Sequence, residues 1–193
     1  MDQHNKPTSV SSLSGRTVTV FGSSMAAPGD PSYETGKRCG EALALAGATV
    51  VTGGYAGIME AVSKGARRAG GHVVAVTAPQ VFAERARANE YIHDERTARS
   101  ITERIHELVT MSDATIALGG SLGTLTELIV AWNVAYVARF SATEPKPVIA
   151  VGEQWRTIID SLASQLATDR QLVTCVDSAD SAVSELLRHF EQR

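Results

Sequence analysis

Two glycine-rich segments constrain this chain more than anything else in it: Thr52-Gly53-Gly54-Tyr55-Ala56-Gly57 and Gly119-Gly120-Ser121-Leu122-Gly123-Thr124. Each follows a short β-branched or apolar run and precedes a stretch of helical period, which is how one half of a βαβ unit reads. The same alternation continues along the chain. Strands are expected at Thr17–Phe21, Ala48–Val51, His72–Val76, Ala114–Leu118, Val148–Val151 and Val173–Val176. Helices are expected at Pro31–Ala46, Ile58–Ala69 and Thr97–Met111, from the second glycine turn to Arg139, and at Gln154–Ala167 and Ser181–Gln192. Asp30 as N-cap and Pro31 at the first helical position open the first helix, and Gly47 stops it. The fold class is α/β, with a mainly parallel sheet. Thr77–Asp94 carries no clear period and is read as a mobile loop, with room for a helical turn or two over Val81–Ala88.

Length and charge narrow the partners. The 193 residues fit one domain, expected over 17–193 behind a disordered polar tail at 1–16. A net charge of -3, from 18 Lys plus Arg against 21 Asp plus Glu with no block of like sign, disfavours nucleic acid as a main partner. Apolar runs such as Leu128–Trp132 fall far below the roughly 18–20 residues needed to span a bilayer, and the polar N-terminus lacks the apolar core of a secretory signal. No membrane contact and a cytoplasmic location are expected. Cys39 and Cys175 stand far apart without a CxxC or a histidine pair, so they are read as buried thiols, and neither a disulfide, a metal nor a cofactor is expected.

The two glycine turns open helices at the carboxyl edge of a parallel sheet, where ligands bind. Glycine lets amide N–H groups approach an anion closely, and the helix N-terminus adds partial positive charge, so phosphate is the natural guest. Neither turn is GxGxxG, and no acidic residue ends the second strand, which disfavours a dinucleotide site. The absence of GxxxxGK[ST] excludes P-loop hydrolysis of ATP.

With those residues in view, the sequence resembles the LOG family, the "lonely guy" cytokinin-activating phosphoribohydrolases long labelled lysine decarboxylases. The likeness rests on Val20-Phe21-Gly22-Ser23-Ser24, on Thr52 to Ala61 and on Ile116 to Leu128, and it spans about Thr17 to Ser161. It implies a Rossmann-like, doubly wound, three-layer αβα homodimer that hydrolyses the N-glycosidic bond of a nucleoside 5′-monophosphate, the base being N6-modified adenine in some members, to free base and ribose 5-phosphate. The family signature PGGxGTxxE falls on residues 119–127: Gly119 stands where the family has Pro, Gly120 and Ser121 occupy its two Gly positions, and Gly123, Thr124 and Glu127 match. The Arg of its upstream MHxRK segment falls on Arg104 and the Lys on Ile105. Gly53–Gly57 with Met59-Glu60-Ala61 is also similar to the molybdenum-cofactor carrier proteins. A non-catalytic carrier or sensor of a phosphorylated heterocycle, molybdenum cofactor or a nucleotide, is therefore the alternative.

The site candidates follow. By spacing alone Thr124-x-x-Glu127 is a capping box; the resemblance makes Glu127 a catalytic carboxylate that steadies oxocarbenium-like charge or activates water. Arg104, about 60° from Ile101 around the helix, is expected half-buried at the edge of the stripe Ile101, Ile105, Leu108 and Val109, either gripping substrate phosphate, orienting Glu127, or simply pairing with Glu103 or Glu107. Gly120, Ser121, Gly123 and Thr124 are the expected phosphate cradle, with Gly53, Gly54 and Gly57 shaping the facing turn. Ser23 and Ser24 are expected to line the base or ribose pocket, Met59 and Glu60 to close on the nucleotide, and Tyr55 to stack on a base or to pack. Arg99 is a weaker candidate, and His72, His93 and His106 form no set. Lys6, Lys37, Lys64 and Lys146 sit where no pyridoxal Schiff base is expected, which argues against decarboxylation.

Overall fold

The β-branched runs pair because their side chains alternate between two apolar layers, and this alternation fixes the sheet. In the computed structural model, which describes residues 12–82 and 87–192, the strands are β1 (Thr17–Phe21), β2 (Thr49–Thr52), β3 (Val73–Thr77), β4 (Asp94–Thr97), β5 (Ala114–Ala117), β6 (Val148–Val151) and β7 (Val173–Val176). The helices are α1 (Pro31–Leu45), α2 (Ile58–Arg68), α3 (Ile101–Thr110), α4 (Leu122–Ala138), α5 (Glu153–Leu166) and α6 (Ala179–Glu191), with a 3₁₀ turn at Arg170–Leu172 before β7. All pairings are parallel, in the order β4-β3-β2-β1-β5-β6-β7. The expected α/β class is what forms, with a sheet that is wholly rather than mainly parallel. Winding runs outward from β1 to β4, then returns to the other side of β1 at β5. The crevice at that reversal is where such folds hold ligands.

Val18 and Val20 of β1, Val50 of β2, Ile116 of β5 and Ile149 of β6 face one layer, where they meet Leu43 of α1, Val62 of α2 and Leu186 of α6. Phe21, Val51, Ala117 and Ala150 face the other, against Leu108 of α3, Leu128 and Trp132 of α4 and Trp155 of α5. Two threonines share this second face. The Thr19 hydroxyl donates to the Leu108 carbonyl at 2.8 Å, while no described group bonds the buried Thr115 hydroxyl. Among the described residues no helix is long and apolar enough to cross a membrane.

The structure corrects several expectations. β4 begins at Asp94, where the expected loop ends, and runs to Thr97, where the expected helix begins, so it is a strand the sequence pattern did not predict. Its residues Asp94-Glu95-Arg96-Thr97 are all exposed and show no apolar alternation, so its only strand signal is backbone pairing with Val74–Thr77. Charge on an edge strand also guards it against pairing with other chains. Because β4 takes residues 94–97, α3 starts at Ile101 rather than Thr97, and the Ser100 hydroxyl caps it by accepting the Glu103 amide at 3.1 Å. The helical turn expected over 81–88 falls in part on residues 83–86, outside the described set. Asp30 does stand at the N-cap of α1, yet its carboxylate accepts the Ala27 amide at 2.7 Å and caps no helical amide. Most of the expected tail lies outside the described residues, but Leu13 is fully buried and its amide donates to the Ala46 carbonyl at 2.7 Å, so order begins before residue 17. Cys39 is buried as expected, whereas Cys175 is only half-buried.

Candidate functional site

Three βα turns meet at the carboxyl end of the sheet and are laced together by backbone. The Ser23 amide, just past β1, donates to the Gly119 carbonyl past β5 at 3.0 Å, and the Ser23 carbonyl accepts the Ile58 amide at the start of α2 at 2.8 Å. Gly57 makes this crossing possible. Its φ is +74°, and a Cβ there would lie 2.3 Å from the Ser23 carbonyl oxygen, so both conformation and space require glycine. Between these turns and α3 opens a cleft of about 270 Å³.

Glu127 reaches that cleft from α4. Ser121 occupies the N-cap position with no side-chain cap, which places Thr124 inside the first turn and Glu127 beyond it. The capping box read from the spacing therefore does not form. Thr124, only 3% exposed, lines the cleft instead, its hydroxyl so near the Gly120 Cα that a Cβ on Gly120 would lie 2.2 Å from Oγ1. Glu127 is 9% exposed.

Arg104 approaches from α3 and is 6% exposed, more buried than its place at the stripe margin suggested. Its Nε donates to the Val76 carbonyl at 2.8 Å, Nη2 to the Gly53 carbonyl at 3.1 Å, and Nη1 to Glu127 Oε1 at 3.4 Å. The guanidinium thus ties the ends of β2 and β3 to α4. Of the tasks expected of it, orienting Glu127 is the one this geometry serves. Gly53 leaves room for it: a Cβ there would fall 1.8 Å from Nη2. Burial pushes the Glu127 carboxyl up from its ordinary 4.5, the Arg104 charge pulls back, and the balance stands at about 7. Burial prevails because the ion pair is a single contact and two backbone carbonyls share the guanidinium.

Among the sequence candidates, Glu127, Arg104, Ser121, Gly123, Thr124, Ser23, Ser24 and Met59 all line this one cleft. Gly53, Gly54, Gly57 and Gly120 do not line it: Gly53 lends its carbonyl to Arg104, Gly57 and Gly120 pack against Ser23 and Thr124, and Gly54 faces Ala75 and Thr77 of β3. Ser23 Oγ accepts the Met25 amide at 3.1 Å, the turn chemistry weighed for it. Glu60 does not close on the cleft; it accepts the Tyr33 hydroxyl proton at 2.7 Å. Tyr55 lines the cleft, but its ring packs edge-on against Phe82 rather than lying open to a base. Arg99 is exposed and pairs with Glu103. His72 pairs with Asp94, His93 contacts Arg67, and no histidine or lysine lines the cleft among the described residues.

Sequence reasoning missed four lining residues: Phe82, Ile101, Ile105 and Thr126. Phe82 belongs to a segment without period. Ile101 and Ile105 belong to the packing stripe by helical period, but Ile101, the first residue of α3, lines the cleft at 47% exposure, and Ile105 lines it while remaining buried. The substitution of Ile for the LOG-family Lys at 105 was the available signal for that apolar wall. Thr126 lines the outer rim.

The SLOG cluster4 family matches residues 15–183, which includes every element that builds the cleft. The chain belongs to that family. Its relatives bear out the LOG resemblance drawn from the glycine turns. A Mycobacterium marinum protein named cytokinin riboside 5′-monophosphate phosphoribohydrolase is 32% identical over 180 residues, covering 86% of this chain and 91% of that protein. The Mycobacterium tuberculosis protein of the same name is 34% identical over 119 residues, and that match spans 61% of its length. In three dimensions this SLOG cluster4 member superposes on the molybdenum cofactor carrier protein of Chlamydomonas reinhardtii with a TM-score of 0.71 at 21% identity, over 90% of this chain and 96% of that one. The molybdenum cofactor binding protein of Rippkaea orientalis gives 0.68 at 24% identity, over 90% and 94%. These likenesses concern the fold.

Proposed function

We propose that the protein hydrolyses the N-glycosidic bond of an adenosine 5′-monophosphate, plain or N6-modified, releasing free base and ribose 5-phosphate. The observation that carries this reading is the buried Glu127–Arg104 pair in a cleft at the sheet reversal, with a carboxyl poised near neutrality. The names of the mycobacterial relatives support the reaction class.

The nucleotide phosphate lies against the start of α4, where first-turn amides and the Thr124 hydroxyl supply donors and the helix dipole favours negative charge. The sugar then reaches Glu127, and the base lies toward Met59, Ile101 and Ile105. As the C1′–N bond breaks, its electron pair leaves with the base, which takes up a proton from solvent. The water oxygen bonds C1′, and its proton passes to ionised Glu127. A carboxyl with a pKa near working pH suits that exchange. Arg104 keeps the carboxylate facing the sugar.

The same reading makes the protein a homodimer. Over Leu122–Ala138 the only charged residue is Glu127, which is buried, while Leu122, Val134 and Val137 of α4 and Phe140 just beyond it stand exposed. An uncharged apolar helix face of this kind calls for cover, and a second copy supplies it.

The test is Glu127→Gln. Calorimetric affinity for AMP is expected to stay within a few-fold while turnover falls by about 10²–10⁴, the usual worth of a general base. An unchanged rate removes Glu127 from the reaction. Tight binding of nucleotide or pterin without turnover in the wild type transfers the assignment to the carrier alternative.

A further inference from the structure

The proposed reaction uses the polar side of Arg104 and leaves its aromatic side unexplained. The guanidinium carbon lies 5.6 Å from the Tyr55 ring centroid and 5.8 Å from that of Phe82, and the two rings meet edge-to-face at 5.5 Å and 71°. Cations favour aromatic faces at this range, most of all where water is excluded. Tyr55 is 3% exposed and itself held: its hydroxyl accepts the Ala78 amide at 2.8 Å, and its carbonyl accepts Asn89 Nδ2 at 3.1 Å. Asn89 also donates from Nδ2 and from its backbone amide to the Gly54 carbonyl, at 3.0 and 2.7 Å. The chain leaving β3 and the chain returning to β4 are therefore both fastened to the β2–α2 turn around one tyrosine.

This arrangement bears on the carboxyl because the Arg104–Glu127 contact is single and long at 3.4 Å. Arg104 is the charged group facing Glu127 among the described residues; the ends of β2 and β3 present only the carbonyls that Arg104 binds. A small swing of the guanidinium thus changes the field at the carboxylate, and no other charged group among the described residues compensates.

We infer that Tyr55 and Phe82 form an aromatic clamp that positions Arg104 against Glu127, so that these two side chains, without touching the reacting atoms, set the charge state of the carboxyl. Tyr55 carries the positioning role through its ring, and its hydroxyl serves the loop. The kinetic readout of this inference rests on the hydrolase reading; the clamp itself does not.

The experiment compares Tyr55→Leu, Phe82→Leu and Tyr55→Phe with the wild type. Both leucine variants are expected to raise the midpoint of the pH–kcat profile by about one unit, because a looser Arg104 favours the ionised carboxyl less. At pH 7 this is about a fivefold loss of kcat that is regained at pH 9, with KM changed less than twofold. Tyr55→Phe retains the ring and keeps the wild-type midpoint. The same shift is read without turnover by following the Glu127 carboxyl carbon by NMR titration of the nucleotide-free protein, so absence of hydrolysis in the wild type sinks the hydrolase reading and leaves the clamp to be judged. If Tyr55→Leu fails to fold, Phe82→Leu, at a less buried position, decides. The inference is overturned if a folded leucine variant keeps the wild-type midpoint by both readouts, or if Tyr55→Phe moves it as far as Tyr55→Leu.

Discussion

Replacing Glu127 with glutamine removes one ionisation from the interior, and the consequence for stability can be worked out with its sign. The carboxyl has its ordinary 4.5 in the unfolded chain and about 7 in the folded one. Between those values the native state keeps a proton that the unfolded state has lost, so stability falls as pH rises through the window. The contribution is intact below pH 4.5 and gone above 7. At about 1.4 kcal/mol per unit, a rise from 4.5 to about 7 is worth about 3 kcal/mol. The glutamine amide of the variant cannot ionise, and the exposure of Arg104 to a lost partner is the same at every pH because its guanidinium stays charged. That loss moves the variant's curve vertically without tilting it. Urea unfolding at pH 4.5, 6, 7 and 8 is therefore expected to give a wild-type minus variant difference that declines by about 3 kcal/mol across the series. Thermal melts report the same trend as roughly 6–12 °C of relative Tm for a chain of this size. Parallel curves, or a difference that grows with pH, refute the claim that burial outweighs Arg104 at this carboxyl.

Other substitutions test the remaining parts. Gly53→Ala puts a Cβ 1.8 Å from Arg104 Nη2 and 2.6 Å from Met59 Sδ, and is expected to cost about 1–3 kcal/mol in urea unfolding while lowering turnover through a displaced Arg104. Gly57→Ala meets backbone of Ser23 and Ser24 at a φ of +74° and is expected to destabilise more than Gly53→Ala by the same measurement, since backbone cannot rotate aside. Wild-type kcat is expected to rise with pH and level off above about 7, as a base that must be ionised requires; a fall over that range assigns Glu127 the role of acid. Val137→Asp, on the exposed face of α4, is expected to halve the mass seen by analytical ultracentrifugation, and an unchanged mass locates the subunit contact elsewhere.

Much of this was legible in the sequence because period and punctuation coincide. Alternating Val18 and Val20, the Gly47 stop and the two glycine turns sit where the elements begin and end. What escaped has physical causes. β4 is four polar residues whose only reason to be extended is the open edge of β3, a tertiary cause with no local trace. The capping box failed because Ser121 took the N-cap position three residues early, freeing Thr124 and Glu127 to turn inward. Arg104 sits at the stripe margin by the helical wheel, but three acceptors on other elements draw it fully inside, and those acceptors come from sequence-distant strand ends and from α4. Phe82 had no period to mark it, and Tyr55 gains its meaning only from Phe82 and Arg104 together.

The central claim is that this cleft breaks a glycosidic bond rather than storing its ligand. The most direct measurement is a chromatographic time course of the purified protein with AMP and with N6-isopentenyl-AMP, scoring base and ribose 5-phosphate together. The account predicts that both products appear in equal amounts over many turnovers and that Glu127→Gln abolishes them. Nucleotide recovered intact from a protein that binds it would contradict the account.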